Sequence, residues 1–220
     1  QVSSNTGRDS SFAGIKLITG STDNDNSILA TRDANAELPA GFDSSAWSSV
    51  GFGTENKIEF SAAISTSSSI ADISIWAGLK LTEVGAYATD ANQAYFLYAS
   101  DDDQGALTTN ANLHFVYSIA GVDYITDLGI AVAATTVYRL RVVFDENRKI
   151  SVFVNNIQYG LTSTPTTTTA GGVRQSVKTT KSLATTDDIN LLPFIGVRAH
   201  AASSKGIQVG YVKLSRDLYE

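Results

Sequence analysis

Apolar and polar residues alternate along most of this chain and seldom recur at helical spacing. The alternating segments are rich in β-branched and aromatic residues, which suit a pleated, half-buried surface. The pattern predicts strands at Ala13 to Thr19, Lys57 to Ile64, Ile73 to Leu81, Ala94 to Ala99, Asn112 to Ile119, Val122 to Leu128, Val137 to Asp145, Lys149 to Val154, Leu192 to Ala199 and Ile207 to Leu214. The nearest approach to a helix, Phe42 to Val50, reads as a loop or a single turn. Many short strands and only three prolines predict an all-β antiparallel sandwich or barrel.

The clearest segment is YRLRVVFDENRKISVFVNNIQYG, Tyr138 to Gly160. Tyr138, Leu140, Val142 and Phe144 fall on one face and Arg139, Arg141 and Val143 on the other, as a period of two requires. Asp145 to Arg148 supply a polar turn, and Ile150, Val152 and Val154 resume the apolar face. Asn155 and Asn156 tolerate the left-handed backbone of a second tight turn before Ile157 to Tyr159. The charges of this hairpin lie at its tip and on its outer face, which reads as a solvated rim.

Composition narrows the function classes. With 220 residues and 43% hydrophobic content the chain can bury one core. The division expected is a polar arm or linker over 1–11 and one sandwich domain over 12–220. A net charge of -6 argues against nucleic acid and anionic membrane as partners. No cysteine is present, so disulfides and thiolate chemistry are excluded, and the two histidines leave little for a zinc site. No segment has the length and apolarity of a membrane span. The start at Gln1, in a chain without methionine, reads as a processed end.

From Tyr138 to Gly160, and on through LLPFIGVRAHAASSKGIQVGYVKLSRDLYE, the sequence resembles the C-terminal half of concanavalin A-like jelly rolls, the lectin, glucanase and laminin-G type of sandwich. The resemblance implies a tip at Val154 to Asn156 and a closing strand, Gln208 to Leu214, that pairs with Gly14 to Thr19. Such sandwiches host lectins, glycanases, lyases and structural modules, so fold alone assigns no activity. The Ser/Thr-rich, Ala/Gly-rich, acidic and cysteine-free character also resembles structural proteins of tailed bacteriophages that use this sandwich as a decoration or fibre module.

The resemblance sets a test for catalysis. Retaining glycanases of this type carry two glutamates on one strand with an aspartate between them, about 5 Å apart across the cleft. No E-x-D-x-E pattern exists; Glu55 and Glu59 are four apart and Glu83 stands alone. Lyase members need a cluster of Gln, His, Tyr and Arg, and their contiguous motifs are absent. His114 reads as a structural histidine. The expectation is a chain that is not an enzyme.

Two acidic runs suit calcium in residue type: Asp23 to Asn26 and Asp101 to Asp103. The spacing completes no EF-hand, so no cofactor is expected beyond calcium, with Asp101 and Asp103 its candidate ligands; solvated turns are the alternative. Trp76 reads as core, whereas Trp47, in a Ser-rich loop, is a candidate for docking a glycan or a protein. The segment from Leu161 to Asp188 carries a threonine run and the cations Arg174, Lys178 and Lys181. It reads as an arm whose cations meet another copy, as a flexible loop, or as an extra hairpin.

These readings lead to two functional expectations. The first is a non-catalytic virion structural protein, a capsid decoration or fibre component that binds the shell, a major capsid protein and its own copies as a homo-oligomer. The second is a lectin-like module that recognises polysaccharide through the loops around Trp47 and Asp101 to Asp103.

Overall fold

Alternation becomes twelve strands in the structure, a computed structural model that describes residues 14–30, 54, 57–81, 90–101, 107, 110–165, 178–187, 189 and 191–217. In chain order they are β1 (Ile15–Ile18), β2 (Asn26–Ala30), β3 (Glu59–Thr66), β4 (Ile73–Lys80), β5 (Gln93–Ala99) and β6 (Asn112–Ile119). Then follow β7 (Val122–Ala131), β8 (Val137–Phe144), β9 (Ile150–Val154), β10 (Ile157–Tyr159), β11 (Leu192–Ala199) and β12 (Gly206–Ser215). No helix occurs among the described residues. Each segment read as a strand from the alternation carries one, and β2 and β10 are additional.

The strands form two antiparallel six-stranded sheets. The first runs β1-β12-β3-β8-β9-β10 and the second β2-β11-β4-β5-β6-β7. The closing strand does pair with the first one, with Leu17 opposite Ile207. This is the all-β antiparallel sandwich that the sequence predicts.

The two inner faces share one apolar core. Phe60, Ile64, Leu140 and Val142 come from the first sheet, and Ile75, Leu79, Phe96 and Phe115 from the second. Full burial of each large apolar side chain contributes about 1.5–3 kcal/mol. Phe96 and Phe115 meet edge to face at 5.1 Å, and Tyr117 stacks on Tyr124 at 4.6 Å. An apolar cavity of about 20 Å³ remains between Ile64, Ile75, Phe96, Tyr138 and Leu140. It has room for one water and offers it few polar partners.

Turn chemistry sets the register at the hairpin tips. Asn155 and Asn156 take φ values of 50° and 68°, the left-handed turn expected between β9 and β10. The Asp145 carboxylate accepts the backbone N–H of both Asn147 and Lys149 at 2.9 Å, fixing the turn between β8 and β9. Beyond β10 the chain is tied down at both described ends of the 161–188 segment. Leu161 pairs with Thr179 and Lys149 with Ala184 in isolated bridges. Ser182 closes a two-way contact with Ile150, donating its N–H to the Ile150 carbonyl at 2.9 Å and accepting the Ile150 N–H on Oγ at 2.8 Å.

Candidate functional site

The centre of the second sheet is buried on both faces, whereas antiparallel sheets commonly keep one side solvated. Every residue of β4 and β5 is buried. The outer face carries a second apolar cluster that includes Trp76, Tyr95, Leu97, Val116 and Phe194. Trp76 and Phe194 stack at 6.1 Å. Trp76 lies flat over β11 because position 196 is glycine: a Cβ there would sit 2.6 Å from the indole ring.

Register lays a polar row across this apolar face. Lys80, Gln93, Ser118 and Asp123 are directly opposite one another on β4, β5, β6 and β7. Residues so paired have Cβ atoms about 5 Å apart. Gln93 Nε2 donates to Ser118 Oγ at 2.9 Å, and Ser118 Oγ donates to Asp123 Oδ1 at 2.5 Å. Burial pushes the Asp123 carboxyl above the usual range, while its bonds from Ser118 and Gln93 pull it back. The row is buried at Lys80, Gln93 and Ser118 and half-buried at Asp123, its open end. Gln93 Oε1 and Trp76 Nε1 are buried without a hydrogen-bond partner among the described residues.

Lys80 is the unusual member of the row. Its side chain is 2% exposed, its Nζ lies 3.9 Å from Asp90 Oδ2, and the rings of Tyr95 and Phe194 lie 5.5 and 5.4 Å away. Burial lowers its pKa to about 8, against the opposing pull of Asp90. Asp90 is held in place by the Leu81 N–H, which donates to its Oδ2 at 3.0 Å.

Two further groups complete the outer face. His114, wholly buried on β6 opposite Asp127, donates Nδ1–H to the Asn112 carbonyl at 3.0 Å. The Asp127 carboxylate accepts both bonds from Asn112 Nδ2 at 3.0 and 3.1 Å. At the other end of the sheet Arg198 lies opposite Ser74 and donates to Asn24 Oδ1 at 2.6 Å. The face therefore gathers Gln93, Tyr95, His114 and Arg198 from three strands.

Of the residues singled out in the sequence, Asp101, Lys178 and Lys181 lie among the described residues. Asp101 is exposed just beyond β5, and Asp103 lies outside the described residues. Among the described residues no group of three or more His, Asp or Glu could hold a metal ion. Trp47 and Arg174 also lie outside the described residues, as do the 1–11 arm and Phe42 to Val50. Lys178 Nζ donates to the Asp127 carbonyl, and Lys181 Nζ meets Asp145 Oδ2 at 2.5 Å, so both cations have partners in their own chain. Asn24 and Asp25 build the turn into β2, with Asp25 Oδ2 accepting the Thr22 N–H at 3.1 Å. The polar row escaped sequence reasoning because its members are 13, 25 and 5 residues apart and meet only through strand register.

No protein-family model matches the sequence, and no curated protein matches it. Solved structures do. An alginate lyase from Corynebacterium sp. is similar over 99% of this chain and 83% of its own, with 8% identity and a TM-score of 0.53. A family 7 alginate lyase in complex with its product is similar over 99% of this chain and 85% of its own, at 10% identity and a TM-score of 0.53. The carbohydrate recognition domain of Emp46p, in a metal-free form, is similar over 100% of this chain and 88% of its own, at 9% identity and a TM-score of 0.53. At these identities the likeness is one of fold, the concanavalin A-like jelly roll. The expectation that the chain is not an enzyme is corrected here. Two of these structures are polysaccharide lyases on the same fold, and residues of the types whose contiguous motifs are missing lie on one face, spread from β6 to β11.

Proposed function

We propose that this chain recognises a polysaccharide, with the outer face of the second sheet as its site. The observation that carries the reading is a pair of buried atoms on that face without a partner among the described residues, the Gln93 acceptor and the Trp76 donor, beside a polar row that opens at Asp123. A buried polar atom left without a partner costs about 1–3 kcal/mol. A sugar hydroxyl is both donor and acceptor and answers either atom, while rings such as Trp76 and Phe194 offer apolar surface to a pyranose. The alginate lyases and the carbohydrate recognition domain support the reading through their fold.

Lys80 brings acid–base chemistry within reach of the same face, because a pKa of about 8 lets an amine exchange its proton near neutrality. Cleavage is therefore measured together with binding. Affinity electrophoresis against alginate, pectate, xylan and laminarin is expected to retard the chain in at least one gel. Gln93→Leu, which removes the unmatched acceptor at nearly constant volume, is expected to weaken that retardation about tenfold. Unsaturated ends released by the wild type and lost in Gln93→Leu would assign cleavage to this face. Free migration in every gel, or a Gln93→Leu variant retarded as strongly as the wild type, would sink the proposal.

A further inference from the structure

The first sheet presents a different outer face. Along β3, Ser61 and Ala63 point outward yet are only 8% and 5% exposed, because larger side chains rise on both sides. Ala63 lies between Tyr211 of β12 and Arg139 of β8, and Ser61 between Lys213 and Arg141. The result is a shallow trough with a floor of small side chains. The two rows are about 7 Å apart along the strands, and the walls stand about 10 Å apart across them.

Charge on this trough runs against the rest of the protein. Arg139, Arg141 and Lys213 line it, Lys16 joins them on β1 opposite Gln208, and Glu59 is the one acid on the same stretch of face among the described residues. The chain as a whole carries -6. Arg141 is held upright by stacking on Phe153 at 3.9 Å, while its Nη1 stands 3.7 Å from Glu59, beyond hydrogen-bond reach. Its Nε is buried, while the side chain as a whole is 37% exposed, so the donors open to a ligand are those of the Nη groups. Tyr211 is 46% exposed, a large aromatic surface at the trough's edge that the fold itself does not use.

We propose that this trough binds an anionic polysaccharide, independently of the second-sheet site. Arg139, Arg141 and Lys213 would hold carboxylate or sulfate groups, and the Tyr211 ring would pack against a sugar face. A glycan bearing one charge every residue or two suits a few cations set in two rows. Nucleic acid fits worse: a duplex carries one charge per about 1.7 Å, and the net negative protein repels it outside the trough. An acidic protein surface, including a second copy, matches the charge but leaves the small-residue floor and the single exposed ring without apolar anchors to receive.

The test uses the full chain with polygalacturonate and heparin as carboxylated and sulfated probes and dextran as the neutral one. Binding to at least one anionic probe is expected, falling steeply with salt, with none to dextran. Arg139→Ser with Lys213→Ser, both exposed positions, is expected to weaken binding at least about tenfold and flatten the salt dependence. Tyr211→Ser is expected to weaken it severalfold with the salt dependence kept. Failure of both anionic probes at low salt, or undiminished binding by the Arg139 and Lys213 double variant, overturns the proposal. So does a solution mass that falls in that variant, which would make the face an interface between copies. Tighter binding of single-stranded DNA than of either glycan would overturn it as well.

Discussion

The buried amine of Lys80 makes the fold more stable in mild alkali. Its ordinary pKa is 10.5 and burial lowers it to about 8 in the folded chain. Between those values the unfolded chain holds the proton that the folded chain has released, so stability rises with pH there. Burying the charged form is a penalty fully present below about pH 8 and relieved as pH climbs towards 10.5. The whole separation corresponds to about 3 kcal/mol, of which about 2 kcal/mol is recovered between roughly pH 7 and roughly pH 9.5. Tyr98, Tyr117 and Lys181 all have raised values, so their opposing contributions begin near or above pH 10. Urea unfolding across this window should move the midpoint up by on the order of 1 M. Lys80→Met is expected to flatten that rise whatever its own stability, since it removes the titrating group and keeps the bulk. Parallel pH slopes in wild type and variant would refute the assignment.

Two other perturbations test the packing and the turn. Gly196→Ala places a Cβ 2.6 Å from the Trp76 indole and is expected to cost about 1–3 kcal/mol in urea unfolding. Combining it with Trp76→Phe should cost less than the sum of the two single changes, and additive losses would mean that the ring does not lie over position 196. Asn156→Val puts a β-branched residue at a φ of 68° and should lower Tm by roughly 3–6 °C, while Asn156→Gly should leave it near the wild-type value.

The fold was legible where the two-residue period was strong. Tyr138 to Phe144 alternates cleanly because one face of that strand lies on the core and the other is open or half-open to solvent, a division that fades in β9, where Ser151 is buried. The two strands beyond the alternation are short edge strands. β2 has five residues, and its approach through Asp23 to Asn26 looks like a metal-binding or solvated turn in sequence. Its place is fixed from outside, by pairing with β11 and by the Arg198 to Asn24 bond. β10 has three residues and exists because the turn at Asn155 and Asn156 folds it back on β9.

The candidate sites were much less legible, for a reason that lies in the register of the sheets. In β4 the outward residues are Ser74, Trp76, Gly78 and Lys80, a mixture that shows neither a charge run nor a motif. What makes Lys80 chemically distinct is Asp90 and two rings from β5 and β11, none of which its own neighbourhood in sequence contains. The trough on the other sheet hides in the same way. Arg139 and Arg141 look like a solvated rim until Ser61 and Ala63 are set between them and the side chains of β12. A sandwich builds its sites across strands, and residues from three or four of them must be brought together before any chemistry appears. For that reason absent contiguous motifs carry little weight against catalysis in this fold, whereas the alternation that specifies the strands carries a great deal for architecture.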